Sequence, residues 1–355
     1  MLSALVFIIA FILSLLLTPL VRQLALKYQI LDYPSSERKI HLRPMPLLGG
    51  GAIFISFTAV SLTVAWLTDW VVGKDISWCA LIAIILGGLI IMVGGYFDDK
   101  YNLKPARQII APLLAVLVVV FLGLGPKVIS SPWGGVINLD FWSVTIDWLG
   151  LNYSLSLISG AVALIWLLGM MYTTKLMDGL DGLVTGLGVI GSLIIFGLTQ
   201  FTPFYQPSVG ILALILAGSA LGFLVWNFQP AKIFLGEGGS LFIGFMLGVL
   251  AIISGAKIAT ALLIMGLPIL DMIWVITKRL LLDNKPISQA DTNHLHHRLL
   301  ALGWSPRQVV LLLYFFSLAF GLSALFLNTI GKIIALGVAG VVIIFMIFWF
   351  YRKSA

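Results

Sequence analysis

Eleven long apolar runs, nearly free of charge, leave this chain few folds to choose from. They fall at 2–21, 49–68, 79–97, 106–123, 156–172, 183–200, 208–226, 240–256, 258–277, 308–327 and 331–351. About 20 apolar residues match the hydrocarbon thickness of a bilayer, and a helix satisfies its own backbone polar groups there. The spacing therefore predicts an all-α polytopic membrane protein with about eleven transmembrane helices. A single integral-membrane domain is read over residues 1–355. Charged residues make up only 10% of the chain, against roughly 25% in soluble domains. No basic residue precedes the first run and no small-residue cleavage site follows it, so it reads as an uncleaved helix.

The basic residues fix an orientation. With eleven spans, one face receives 17 of the 21 lysines and arginines, and the other only Lys74, Lys127, Lys257 and Lys332. The positive-inside rule then places the N-terminus outside and the C-terminus in the cytoplasm of a cell's inner (plasma) membrane. The net charge of +7 is thus a topology signal, and no nucleic-acid partner is expected. On the outer side, the alternation in Val136–Trp148 predicts a short hairpin. Cys79, the one cysteine, excludes an internal disulfide and a cysteine-built metal site.

The unusual polar residues gather on the cytoplasmic segments. Asp98 and Asp99 close one span, Asp178 and Asp181 lie in Lys175–Leu183, and Glu237 sits in a glycine-rich stretch before the eighth span. Asp271 lies inside the ninth, with Asp283 at its exit. Carboxylates at a membrane edge have to be hydrated, paired or bound to a cation. If helical, the Lys175–Leu183 stretch would put Asp178 and Asp181 on one face; the alternative is a polar turn, since Asp-Gly is a common turn dipeptide. Adjacent carboxylates such as Asp98 and Asp99 repel unless a cation or proton relieves them. Oxygen-only sites of this kind suit Mg²⁺, with Mn²⁺ as a substitute. The Leu235–Ser240 glycines read either as a flexible turn or as a helix N-terminus that binds phosphate.

All four histidines fall on the same face: His41, His294, His296 and His297. On a helix, Asp291, His294 and Arg298 would share a stripe. Zinc is a weaker reading than an anion such as a diphosphate, because Arg298 stands among the imidazoles. Arg38, Lys39, His41 and Arg43 form a basic first loop that could equally face anionic lipid headgroups. From the residues alone, the chain reads as a Mg²⁺-dependent membrane phosphotransferase acting between a cytoplasmic phosphorylated substrate and a lipid headgroup.

Five motifs, in order, resemble those of the polyprenyl-phosphate N-acetylhexosamine-1-phosphate transferases, the WecA/TagO branch of the MraY-like (glycosyltransferase 4) family. They are Arg38–Gly50, Asp98-Asp99, Asp178–Leu183, Asn227–Ser240 and the histidine loop Asp291–Leu299. The histidine loop is unlike the Pro-Ile-His-His-His of the pentapeptide-translocase branch. Two positions depart from the family pattern: Lys175 stands where Asn is usual, and Glu237 where Asp is usual. The resemblance implies transfer of a sugar-1-phosphate, GlcNAc-1-phosphate first, from a UDP-sugar to undecaprenyl (polyprenyl) phosphate, with release of UMP. That reaction would be the first membrane step of surface or cell-wall glycan synthesis.

By the same resemblance, Asp99 and Glu237 would hold Mg²⁺, and Asp98 would deprotonate or orient the lipid phosphate. Asp178 and Asp181 would organise the nucleotide and metal region. Arg38, Lys39, His41, Lys175, Asn227, His294, His296, His297 and Arg298 would bind substrate. A homodimer is compatible with this reading. Two rivals from other classes are an intramembrane prenyltransferase, which needs Asp-x-x-x-Asp spacings that are missing here, and an ion-coupled transporter.

Overall fold

A computed structural model describes residues 2–34, 43–73, 75–131, 135–148, 151–202, 205–255, 258–281 and 294–354. In chain order the elements are α1 (Leu2–Lys27), β1 (Leu31–Asp32), β2 (Met45–Pro46), α2 (Gly49–Leu67), α3 (Trp78–Tyr101), α4 (Pro105–Gln108) and α5 (Ile110–Phe121). Then come β3 (Val128–Ser130), β4 (Val136–Asn138), β5 (Ser143–Trp148), β6 (Leu151–Ser156), α6 (Leu157–Met177), α7 (Leu183–Phe201) and α8 (Pro207–Asn227). The chain closes with α9 (Gly236–Ile253), α10 (Ile258–Ile264), α11 (Gly266–Leu281), α12 (Leu295–Ala301), α13 (Pro306–Phe326) and α14 (Thr329–Ser354).

The protein is all-α and polytopic. Among the described residues, eight helices are long and apolar enough to cross a membrane, and α10 with α11 makes a ninth if the pair is one span. Two further expected runs fall on shorter apolar helices, Pro105–Phe121 and Thr329–Val342. The run at 258–277 is not the straight helix its hydropathy suggests, because α10 and α11 meet at 80°. Pro268 has no N–H to continue the hydrogen-bond ladder back to Ile264, and Gly266 adds no side chain to hold the break closed.

α9 is the central helix. Every residue from Gly236 to Ile252 except Glu237 is buried, against α2, α3, α6 and α7. Phe57, Phe223, Phe242 and Phe245 fill the space around it without solvent contact. α1 lies outside against α8 and exposes Leu5, Ile8, Ile12 and Leu16, which suits a lipid-facing helix. Backbone contact brings the central helices together. A Cβ on Gly95 would stand 2.2 Å from the Gly238 Cα, and one on Gly50 2.2 Å from the Gly239 Cα, so no side chain larger than hydrogen fits there.

At one end of the bundle the expected single hairpin over Val136–Trp148 is divided. Val136–Asn138 pairs backwards with Val128–Ser130, whereas Ser143–Trp148 pairs forwards with Leu151–Ser156. Trp142, at φ 73°, makes the turn between the two. Alternation alone shows that a strand forms but not which neighbour it joins.

Candidate active site

The carboxylate motifs meet at the other end of the bundle. α3 stops at Tyr101, and the Asn102 N–H returns to the Asp98 carbonyl. Asp98 is buried, and its Oδ1 accepts from the Leu103 N–H at 3.0 Å and from Gln108 Nε2 at 3.1 Å. Asp99 turns the other way. Its Oδ1 accepts the Glu237 N–H at 3.1 Å. The glycine-rich stretch is thus a helix N-terminus, where free N–H groups and the dipole favour an anion, and one of its donors is given to Asp99. A main-chain clamp sets this end of α9 against α2: Phe234 N donates to Pro46 O, Gly49 N to Phe234 O and Gly50 N to Leu235 O.

Lys175 reaches into the same space from α6. Its Nζ lies 2.8 Å from Glu237 Oε2 and 3.6 Å from Asp98 Oδ2, and it donates to Gln108 Oε1 at 3.0 Å. Gln108 therefore joins Asp98 to Lys175. Nothing in the sequence singled it out, since it is separated from them by 10 and 67 residues.

The Asp178–Gly182 stretch is a turn, not a helix: α6 ends at Met177 and α7 starts at Leu183, with Gly182 at φ 80° as its cap. Asp181 Oδ2 accepts the Ala231 N–H at 3.0 Å. The Tyr314 hydroxyl donates to the Gly182 carbonyl and so ties the turn to α13. Asp178 opens onto the cavity, yet protein surrounds it. Withdrawal from bulk water first, then the Glu237 and Asp181 charges, hold its carboxyl well above the usual carboxylate range.

Asn227 is buried at the end of α8. Its Oδ1 accepts from Thr185 Oγ1 at 2.9 Å, and its Nδ2 donates to Ile233 O at 3.1 Å. The amide thus braces the 228–235 loop.

The histidines are not equivalent. His294 caps α12, with Nδ1–H donating to Asp271 Oδ2 at 2.9 Å, while Asp271 Oδ1 takes the Leu295 N–H at 2.9 Å. His296 stacks on His294 with ring centroids 5.7 Å apart and lies 4.2 Å from His297. It is 1% exposed. Burial first, then the neighbouring imidazoles, keep its pKa well below the ordinary value. Its Nε2 rests where a Gly179 Cβ would be, 2.7 Å away. α12 therefore docks on the Asp178–Gly182 turn through a position that only glycine leaves open.

These elements enclose a cavity of about 980 Å³ lined by Asp98, Asp99, Lys175, Asp178, Asp181, Asn227, Glu237 and His297, with Arg43, Gln108 and Gly179. His294, His296 and Arg298 are not among its lining residues. His294 and Arg298, the described members of the stripe read from the sequence, are therefore not what faces the cavity. His297 faces it, and the other two imidazoles stand behind. Arg38, Lys39, His41, Asp283 and Asp291 lie outside the described residues.

Among the described residues, no three His, Cys, Asp or Glu side chains form a ready-made metal cage. The donor set still fits Mg²⁺. Asp99 and Glu237 adjoin on facing helices, the lining carboxylates offer hard oxygens only, and Mg²⁺ takes one or two protein carboxylates and completes its shell with water and substrate phosphate.

A helical membrane bundle with an acidic, partly cation-paired cavity at one end defines the class. The model described as glycosyl transferase family 4 matches residues 81–255. A Bacillus subtilis protein named as a probable undecaprenyl-phosphate N-acetylglucosaminyl 1-phosphate transferase is 34% identical over 96% of this chain and 90% of its own length. A Mycolicibacterium smegmatis decaprenyl-phosphate N-acetylglucosaminephosphotransferase is 34% identical over 96% of this chain and 86% of its own length. A Halalkalibacterium halodurans phospho-N-acetylmuramoyl-pentapeptide-transferase is similar at 29% over 91% and 95%. The chain belongs to glycosyl transferase family 4, within its polyprenyl-phosphate GlcNAc-1-phosphate transferases.

Proposed function

We propose that this protein transfers GlcNAc-1-phosphate from UDP-GlcNAc to a polyprenyl phosphate, on the cytoplasmic face of the bacterial inner membrane, with Mg²⁺ bound. The convergence of Asp98, Asp99, Asp178, Asp181, Glu237 and Lys175 on one cavity at a bundle end carries the reading. Family membership and the names of the relatives support the transfer and its lipid acceptor. The split of basic residues supports the cytoplasmic placement.

An oxygen of the lipid phosphate attacks the sugar-bearing phosphorus of the donor. The new P–O bond joins lipid and sugar through a diphosphate as the old bridging P–O bond breaks, and UMP leaves with its electron pair. Two anions must meet, so positioning and charge neutralisation are the main work. Asp99 and Glu237 would hold Mg²⁺, which when bound neutralises phosphate charge. Asp98, held from behind by Leu103 and Gln108, orients the acceptor or takes its proton. Lys175 supplies a positive charge, His297 contacts the donor, and Asn227 holds the loop beside it.

The test is UMP release and lipid-linked product from purified protein, undecaprenyl phosphate, Mg²⁺ and a panel of UDP-sugars. Turnover with UDP-GlcNAc and none without the lipid phosphate is expected. Turnover with another UDP-sugar alone would reassign the donor.

A further inference from the structure

Lys175 sets its ammonium against two of the cavity carboxylates. Its ammonium touches Glu237 Oε2 at 2.8 Å, faces Asp98 Oδ2 at 3.6 Å and is steadied by Gln108 Oε1 at 3.0 Å. Its side chain is only 15% exposed. Gln108 is itself pinned, with Nε2 donating to Asp98 Oδ1 and to Leu103 O. The ammonium is thus seated by three groups. A divalent ion using Glu237 would share that carboxylate with a like charge, and one of the two must give way. The lysine is the mobile one, a point charge on a flexible four-carbon stem.

We infer that Lys175 is a displaceable internal counter-ion: it neutralises the Glu237–Asp98 pair while no metal is bound, and the divalent ion evicts it into the cavity, where it meets the donor's diphosphate. This rests on the proposed metal role of Glu237 and goes beyond it. A metal-free protein is then protected from carboxylate repulsion. The cost is weak metal binding in the absence of donor, because entry of the ion must first break the Lys175–Glu237 contact.

Direct Mn²⁺ binding by electron paramagnetic resonance on the full chain in detergent, without substrate, tests this. A cation within ~4–6 Å weakens a carboxylate's hold on a proton by roughly 1–3 pKa units, and its hold on a metal ion follows the same sign. Lys175→Met should therefore bind Mn²⁺ at least about tenfold more tightly than wild type, and Lys175→Arg should stay near wild type. Lys175→Gln repeats the first arm if the Met variant does not fold. Equal or weaker binding by the neutral variants would overturn the inference while leaving Glu237 a ligand. If neither wild type nor Lys175→Met binds Mn²⁺ and EDTA leaves turnover intact, the metal reading itself fails and the inference falls with it.

Discussion

Asp271 and His294, 23 positions apart, are locked by a 2.9 Å hydrogen bond, and the same carboxylate also takes the first N–H of α12. One buried side chain thereby fixes both the ring of His294 and the start of the helix that carries His296 and His297. Asp271→Asn keeps the shape but offers an amide where an acceptor is needed. A hydrogen bond to a charged group contributes about 1.5–3 kcal/mol. The variant should therefore melt earlier and show a raised KM for UDP-GlcNAc with a smaller change in kcat. Differential scanning fluorimetry and steady-state UMP release check both.

Gly179 offers a second handle on the same docking. A methyl group there would meet His296 Nε2 at 2.7 Å, and overpacking of this kind costs roughly 1–3 kcal/mol. Gly179→Ala should displace α12 from the Asp178–Gly182 turn and lower kcat/KM about tenfold or more, at about 1.4 kcal/mol per decade. Wild-type kinetics with an unchanged melt would show that α12 is not held by this contact.

Glu237 separates charge from reach. Glu237→Gln leaves the Lys175 ammonium without its 2.8 Å partner and removes the charge that would hold a cation, so turnover should nearly vanish. Glu237→Asp keeps the charge and shortens the arm, so partial activity with a weakened Mg²⁺ response is expected. EDTA should abolish wild-type turnover, and Mg²⁺ or Mn²⁺ should restore it. Initial rates against Mg²⁺ concentration decide; a Gln variant indistinguishable from wild type would remove Glu237 from the site.

The pKa of His296 is depressed by burial and by its neighbours, and this sets a pH dependence with a definite sign. Below the ordinary value of about 6.5, the unfolded chain binds a proton at this residue that the folded chain refuses. The unfolded state then holds more protons, and stability falls as pH falls through that window. The difference in melting temperature between pH 7.5 and 5.5 should be smaller in His296→Gln than in wild type. An unchanged difference would count against a neutral buried imidazole.

Orientation is open to cysteine labelling. Asn102, beside the acidic cavity, should label only from the cytoplasm, and Asn138, in the hairpin region at the opposite end, only from outside. The reverse pattern would invert the topology.

Most of the spans were legible because a helix that crosses a bilayer needs about 20 apolar residues, although two of the eleven runs fall on shorter apolar helices. The bend was not, since hydropathy averages over Gly266 and Pro268 without registering a lost N–H. Five of the six carboxylates that line the cavity, all but Asp32, could be named from their motifs, as could Lys175. Their partners could not: Gln108, Thr185 and Tyr314 are ordinary residues whose roles come from packing between distant helices. The histidine loop shows the limit most clearly. Its composition marked an anion site, yet sequence spacing has no way to say that His297 alone would look into the cavity while Asp271, on another helix, set the ring behind it.

The glycine seams of α9 have a consequence for anyone wishing to change what this protein accepts. At Gly50, Gly95 and Gly239 the nearest atom would stand 2.2, 2.2 and 2.6 Å from a single added carbon, so the wall bearing Asp99 and Glu237 is held by main chain along these glycines. His297 and Arg43, by contrast, line the cavity with their side chains. A library aimed at new donors belongs there. Diversity spent on the seams would only return misfolded protein.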